Sequence, residues 1–345
     1  MEQLEIHSYD APPPKWNEFV ERHPHSKLYH LLEWNQMVQR TFGHPIKYFV
    51  LRNNGSVEGV LPLTDFKSLL FGHIGVSLPF VNYGGPLLRD SNNNSRLFQH
   101  LSAVRERQKF KSIELRLDEQ VETPLPCKQH KVTFYLELPD SSEELWQSFK
   151  SKLRSQVRRP TKDKMYAKTG SRELLDDFYS VFSENMRDLG TPVLPRIFFE
   201  RIFETFPKSA NIVSVYSEDH QPVAASFLLH HKNCMEIPWA SSVRKYNRSS
   251  PNMLLYWESL KLSIEKNCRV FDFGRCTPGT GTYRFKKQWG AIEKPLYWYY
   301  ILPEIDKIPD VDPKNPKYDL FVKIWQKMPL SLARALGPWI IKHIP

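Results

Sequence analysis

The chain predicts a mixed α/β protein of the α+β kind, rich in strands and turns, with about two domains. Three observations predict it. At 345 residues the chain exceeds one ordinary hydrophobic core. Stretches with apolar residues at helical spacing interleave with short alternating or apolar runs bounded by turn residues. The composition, 41% hydrophobic and 13% aromatic with 14 glycines and 27 prolines, describes a folded, turn-rich chain rather than a disordered one.

Trp16 to Arg22 reads as a short helix, and His30 to Thr41 as a second, with Leu31, Trp34, Val38 and Phe42 at helical spacing. Lys47 to Arg52 and Val57 to Phe66 flank Asn53-Asn54-Gly55, the best hairpin signal in the chain. Gly75 to Phe80 adds a strand. Asn82-Tyr83-Gly84-Gly85-Pro86 then turns, because paired glycines precede a φ-fixed proline, and the turn is placed to line a pocket. A capped helix from about Arg96 to Lys109 leads to the strands Ser112 to Leu117 and Val132 to Leu138. Pro139-Asp140-Ser141 marks a break. The division expected is therefore 1–139, 140–303 and a basic amphipathic tail over 304–345.

From Leu145 to Arg159, Leu145, Phe149, Leu153 and Val157 recur every four residues and give one apolar stripe on one helix, which Pro160 should end. Around it stand Lys150, Lys152, Arg154, Arg158, Arg159, Lys162, Lys164 and Lys168 against the single acid Asp163. Two readings stay open: a solvated basic face, or a phosphate clamp in which Arg154 and Arg158, one turn apart, grip oxygens in pairs. Glu173 to Leu189 and Arg196 to Phe206 read as helices. Asn211 to Tyr216, Pro222 to His230 and Cys234 to Ala240 read as a meander of strands. His230 and His231 point to opposite strand faces with no third ligand nearby, so no metal site is expected. The helix Asn252 to Lys266 follows Arg244 and Arg248, and its free N–H groups would welcome an anion.

The most informative stretch is Asp272-Phe273-Gly274-Arg275-Cys276-Thr277-Pro278-Gly279-Thr280-Gly281-Thr282-Tyr283-Arg284-Phe285-Lys286-Lys287, a glycine-broken loop after a short buried strand. In extended backbone, Arg284 and Lys286 would share a face opposite Tyr283, Phe285 and Lys287. The Asp272-Phe273-Gly274 triplet lacks the other parts of a kinase, and Thr280-Gly281 stands where a phosphate-cradling loop needs Lys and Ser or Thr. Nucleotide hydrolysis is excluded; a glycine-rich surface hairpin with solvated charges stays open beside a substrate loop. Pro295 to Leu302 supplies the next strand. Tyr318 to Lys327 and Leu330 to Ile344 are amphipathic, read either as a packed tail or as a surface for an anionic bilayer.

The net charge of +10 favours polyanionic partners such as RNA, phosphorylated carriers or an acidic membrane surface. Cys127, Cys234, Cys268 and Cys276 show no paired spacing, which suits a reduced, cytoplasmic setting. No secretory signal pattern opens the chain, and no stretch approaches the roughly 20 apolar residues that cross a bilayer.

The second half resembles the Fem-type (FemAB-related) aminoacyltransferases of the GNAT-like acyltransferase superfamily. The resemblance rests on Lys152-x-Arg154-x-x-Val157-Arg158, the Phe178 to Phe206 helical pair, Asn252-Met253-Leu254-Leu255-Tyr256-Trp257-Glu258 and Tyr283-Arg284-Phe285-Lys286-Lys287-x-Trp289-Gly290. The first half agrees through Trp34, Gly59-Val60-Leu61-Pro62-Leu63 and Gly84-Gly85-Pro86, and the Asp272 to Tyr283 loop is most similar to the Fem-related subgroup of exosortase and exopolysaccharide loci.

The resemblance implies two tandem GNAT-like domains, each a mixed, mostly antiparallel sheet flanked by helices, and acyl or aminoacyl transfer to a phosphate-bearing cell-envelope or exopolysaccharide precursor; the amphipathic tail adds the option of peripheral contact with the inner face of the plasma membrane. The resemblance implies Lys286 as the catalytic residue. It implies Arg154 and Arg158 as residues that hold the acceptor phosphates; the turn at Tyr83 and the loop residues Arg275, Tyr283, Arg284 and Lys287 are the further substrate-binding candidates, and no metal or resident cofactor is expected. The acyl donor is an aminoacyl-tRNA or an acyl-CoA. Neither a long heptad-bearing helical arm nor the Gln/Arg-x-x-Gly-x-Gly/Ala loop of acetyl-CoA enzymes is present, so acetyl-CoA is not the default donor. The alternatives are a non-catalytic polyanion- or polysaccharide-binding protein of an envelope export system, or a general RNA binder.

Overall fold

A computed structural model describes residues 4–68, 71–303, 308 and 316–345, with the side chains of 316–319 left aside. The proline-punctuated connector expected after Pro303 lies largely outside the described residues. The chain divides into two compact units.

The first unit takes in the chain to Lys131, a return from Pro295, and Lys342–Pro345. Its strands are β1 (Leu4–Tyr9), β2 (Ile46–Asn53), β3 (Ser56–Ser68), β4 (Gly72–Val76), β5 (Leu87–Leu88), β6 (Ile113–Leu117) and, late in the chain, β13 (Ile292–Ile301). They run in the order β1-β2-β3-β4-β6-β13, with β5 on β3. Asn54 and Gly55 both have left-handed φ, 48° and 80°, which matches the twist of a two-residue hairpin between β2 and β3. Alternation along those strands sends side chains to two faces. Phe49, Leu51, Leu61 and Leu63 meet Leu97, Phe98 and Leu101 of helix α3 (Asn94–Gln108). Tyr48, Val50 and Val60 meet Trp16 and Val20 of α1 (Trp16–Arg22), and α2 (Leu32–Phe42) buries Trp34, Met37 and Val38.

The second unit holds Val132–Lys294 and the closing helices to Ile341. Its strands are the later part of β7 (Cys127–Glu137), then β8 (Tyr166–Gly170), β9 (Ala210–Tyr216), β10 (Pro222–His231), β11 (Cys234–Ser242) and β12 (Val270–Asp272), in the order β7-β12-β11-β10-β9-β8. Among the described residues of this unit, β11 and β12 alone pair in parallel; the other pairs are antiparallel. Its helices are α4 (Ser142–Ser148), α5 (Ser151–Lys162), α6 (Leu175–Asp188), α7 (Arg196–Thr205), α8 (Pro251–Glu265), α9 (Gly281–Lys287), α10 (Pro316–Gln326) and α11 (Leu330–Ile341). Leu145, Leu153, Val157, Leu255 and Leu260 of α4, α5 and α8 share one core. Phe178 and Phe199 of α6 and α7 form an edge-to-face cluster with Phe227 and Trp239 from the sheet.

Several elements differ from the sequence expectation. The helix expected over 145–159 is two, because Phe149 and Lys150 take extended backbone. Ser141 caps α4 through a hydrogen bond from Glu144 N, and the break carries the Phe149 ring between Trp257 and Trp289, at 5.9 and 5.6 Å. The four-residue stripe is nevertheless buried throughout. Pro160 does not end its helix: α5 continues to Lys162, and the Pro160 carbonyl accepts from Asp163 N and Met165 N. The stretch read as extended, 283–287, is the helix α9, started by Thr280, whose hydroxyl accepts from Tyr283 N at 3.3 Å. The strand expected at 75–80 lies at 72–76, and β1, β5 and β8 are strands outside the sequence expectation. The boundary suggested at 139 falls inside the second unit, and β13 gives Pro295–Ile301 to the first.

Candidate active site

In the second unit, β11 and β12 pair over only three positions, Cys234, Met235 and Glu236 with Val270, Phe271 and Asp272. β11 then runs on to Ser242, whereas the chain leaves β12 at Asp272, so the two parallel strands part. Parallel strands that part at their carboxyl ends leave backbone groups and a crevice, the usual location of sites in such sheets. Gly274, at φ 68°, makes the turn out of β12, a conformation that favours glycine.

Lys286 reaches this turn from α9. Its ammonium donates to the carbonyls of Phe273 at 2.5 Å, Gly274 at 2.7 Å and Arg275 at 3.2 Å. The side chain is 4% exposed. Tyr256 stacks on Phe273 at 5.6 Å and meets Phe285 edge-on at 4.8 Å, so the lysine stem lies in aromatic surroundings. Burial pulls the Lys286 pKa down to about 8, partly countered by Cys276 and Asp272. Three carbonyl acceptors match the three protons of an ammonium, and a neutral amine has only two. At neutral pH, below that pKa, the charged form prevails and fills all three acceptors.

Two carboxylates that the sequence reading passed over stand here. Asp272 is 1% exposed, and its Oδ1 accepts from Thr133 Oγ1 at 2.5 Å and from Gly274 N at 2.9 Å. Glu236, paired in register with Asp272, is 7% exposed. The signal for Glu236 was an acid inside the apolar run Cys234-Met235-Glu236-Ile237; Asp272 lay within a triplet judged only as a kinase motif.

The remaining predicted residues take varied positions. Arg275 is exposed one residue beyond the turn, although its carbonyl belongs to the lysine cage. Tyr283 donates its hydroxyl to Glu293 at 2.6 Å, with the Lys287 ammonium 5.6 Å from its ring. Arg284 donates to the Gly279 carbonyl at 2.9 Å and is exposed. Helical rather than extended backbone thus separates Arg284 from Lys286, which the extended reading had put on one face. On α5, Arg154 donates to Gln147 Oε1 at 3.2 Å, and the exposed Arg158 guanidinium lies 5.1 Å from the Trp146 ring. Both arginines are steadied by α4, the first by an amide and the second by an aromatic face.

Tyr83 belongs to the first unit, where Tyr83 to Pro86 line a cavity of about 120 Å³ together with His30, Arg116 and Asp118. Gly84 has φ 145°, and a Cβ there would lie 2.6 Å from the Leu78 side chain, so the turn requires glycine. The Lys27 ammonium sits 5.3 Å from the Tyr83 ring and 3.1 Å from Asp118 Oδ2. Burial works against the Asp118 carboxylate, but the Lys27 charge holds its pKa below the ordinary range. Burial draws the pKa of His30 down to about 4. Its Nδ1 accepts from Lys27 N at 3.0 Å and its Nε2 lies 3.1 Å from the Gly85 carbonyl, which fixes the neutral tautomer with the proton on Nε2. Among the described residues, no group of three or more His, Cys, Asp or Glu side chains could hold a metal ion.

Residues 147–287 match the acetyltransferase (GNAT) domain family. The match begins just before the basic helix α5 and ends on the last residue of α9, so it contains the parting strands and the caged lysine. The match supports an enzyme of the acyltransferase kind. Solved structures share its fold: FemX, 16% identical with a TM-score of 0.61 over 92% of this chain and 100% of that one; L-PGS from Bacillus licheniformis, 11% identical, TM-score 0.55, over 92% and 98%; and a tandem GNAT protein from the clavulanic acid biosynthesis pathway, 9% identical, TM-score 0.51, over 87% and 98%. At these identities the likeness is one of fold alone. No curated protein sequence matches the chain.

Proposed function

We propose that the protein transfers an aminoacyl or other acyl group to an amine, or less readily a hydroxyl, on a phosphate-bearing cell-envelope or exopolysaccharide precursor. The observation that carries this reading is the buried Lys286 ammonium, fixed at the mouth of the parting strands within a GNAT domain. In the reaction, the acceptor nitrogen bonds to the donor carbonyl carbon and the bond to the leaving sulfur or oxygen breaks. The proton lost by the amine ends on the leaving group. Negative charge gathers on the attacked carbonyl oxygen in between, and a fixed cation nearby lowers that state more than the ground state.

Lys286 serves as a charge rather than as a base. It holds the Phe273–Arg275 backbone, so part of its effect on rate comes through the shape of that turn. Arg154 and Arg158 grip the acceptor phosphates, with Arg158 exposed for bidentate contact. Tyr83, Arg275, Tyr283, Arg284 and Lys287 contribute to holding substrates. The donor is an aminoacyl-tRNA or an acyl-CoA. The fold shared with FemX and L-PGS is in keeping with this reading, and the resemblance of the Asp272–Tyr283 loop favours the exopolysaccharide-associated Fem-related subgroup.

A second reading, a non-catalytic polyanion- or polysaccharide-binding protein, is favoured by one feature: all three Lys286 protons are already engaged within the protein. Purified protein incubated with a panel of aminoacyl-tRNAs, acyl-CoAs and lipid-linked acceptors, read by mass shift, separates the two. An acceptor gaining one acyl group supports transfer. Acceptor binding without product from any donor supports the second reading and ends the first.

A further inference from the structure

The closing helices of the second unit each bury one side and leave an apolar side outward. α10 packs through Trp325, 2% exposed and stacked with Phe321 at 5.5 Å, and through Val322, which meets Gly190 so closely that a Cβ there would lie 2.5 Å from it. α11 packs through Ala333 and Gly337; a Cβ on Gly337 would lie 2.8 Å from the Val193 amide. Arg334 Nε donates to Ser183 at 2.8 Å. The two helices are thus docked on the body of the unit and are not loose arms.

On the opposite sides, Leu320 and Ile324 of α10 are 58% and 57% exposed, and Leu332, Leu336 and Trp339 of α11 are 51%, 46% and 71% exposed. The spacings, four on α10 and four then three on α11, put each set on one helical face. Leu189, 59% exposed, adjoins α10, since its neighbours Asp188 and Gly190 contact Gln326 and Val322. Single exposed leucines are ordinary, but several grouped on two successive helices that both pack on α6 form a surface that water disfavours.

We propose that this face docks on a bilayer surface that carries anionic headgroups. The charge around it selects that occupant. Lys323 on α10 and Lys327 just after its end are exposed, at helical spacing with Leu320 and Ile324, and the sequence from 316 to the end has one acid, Asp319, among Lys317, Lys323, Lys327, Arg334 and Lys342. Isologous pairing of two copies through this face would bring lysine onto lysine. A lipid interface takes all the components together: leucine and isoleucine enter the acyl boundary, indole settles at headgroup depth, and lysines reach the phosphates. Helices of 11 and 12 residues are about 16–18 Å long, too short to cross the hydrocarbon core, so they lie in the interface plane. Among the described residues, no helix is long and apolar enough to cross a membrane.

The test is co-sedimentation of the full chain with phosphatidylglycerol vesicles and with phosphatidylcholine vesicles at about 0.1 M salt. Partition onto phosphatidylglycerol at least about tenfold above phosphatidylcholine is expected, with a fall of about tenfold or more in Leu336→Asp/Trp339→Asp and again in Lys323→Glu/Lys327→Glu. All four side chains point outward, and circular dichroism verifies that both variants fold. Wild-type protein left in the supernatant with either vesicle overturns the proposal. So does vesicle binding that the Leu336→Asp/Trp339→Asp variant retains, which would assign attraction to another basic surface such as α5. A wild-type dimer that the same variant disperses, without vesicle binding, would give the face to a second copy instead. None of these readouts involves acyl transfer, so the proposal stands or falls apart from the reaction.

Discussion

Replacing Lys286 with methionine keeps the length of the side chain and removes the ammonium. Two of its hydrogen bonds, to the Phe273 and Gly274 carbonyls, are buried, and leaving those acceptors without their donor costs about 1–3 kcal/mol each. Against this, a pKa drawn from 10.5 to about 8 means that the charged form is held at an expense of about 3 kcal/mol, which the variant no longer bears. The net change in stability at neutral pH is therefore small, from a gain of about 1 to a loss of about 3 kcal/mol. The loss of rate should be larger, about a hundredfold in kcat, because both the cation and the shape of the turn go together. Acceptor KM should change little.

The pH dependence carries an independent sign. Between about 8 and 10.5 the unfolded chain binds the lysine proton more than the folded chain does, so stability rises with pH through that window and the contribution is absent from the variant. Urea denaturation of both proteins at pH 7.5 and 10.5 should show wild type gaining about 3 kcal/mol relative to Lys286→Met. Lys286→Arg should not restore activity fully, since the cage contacts of 2.5–3.2 Å leave room for an ammonium and not for a guanidinium. Wild-type turnover in the methionine variant, or parallel pH curves for the two proteins, would refute the reasoning.

Arg158→Ala should raise the acceptor KM about tenfold, with Arg158→Lys restoring part, because lysine keeps the charge and loses both the fork and the fit to Trp146; initial-rate kinetics across acceptor concentrations check it. His30, buried and neutral with a pKa near 4, makes the protein lose about 3 kcal/mol as pH falls from 6.5 to 4, a loss that His30→Gln should lack in urea titrations at the two pH values. Asp272→Asn keeps an acceptor for Thr133 or Gly274 but removes a charge that favours the Lys286 ammonium, so the alkaline rise in stability should begin at lower pH than in wild type, as followed by denaturation across pH 6–10. Gly337→Ala should cost about 1–3 kcal/mol by pushing α11 off Val193, measurable as a lowered Tm.

The local rules determined much of this protein from sequence. Helical periodicity placed α3, α6, α7 and α8, and the Asn54-Gly55 pair placed the β2–β3 hairpin, because turn geometry and apolar spacing act over a few residues. The Leu145, Phe149, Leu153, Val157 stripe is buried as its spacing required, yet the helix carrying it is broken, since the fit of Phe149 against Trp257 and Trp289 is a tertiary matter. Likewise the residues of the 272–287 loop were legible as a group, but their geometry was not. Alternation suggested an extended run; a threonine cap and three distant carbonyls made it a helix that buries Lys286 and turns Arg284 outward. β1 and β8 escaped notice because edge strands answer to their partners more than to their own pattern. The site's other members, Asp272, Glu236 and Thr133, come from three strands whose adjacency exists only in the folded sheet, where one parallel pair among antiparallel neighbours parts and sets two carboxylates beside a buried lysine. Charge and apolar spacing are properties of a chain, whereas the meeting of groups from distant segments is decided by how its sheet closes around them.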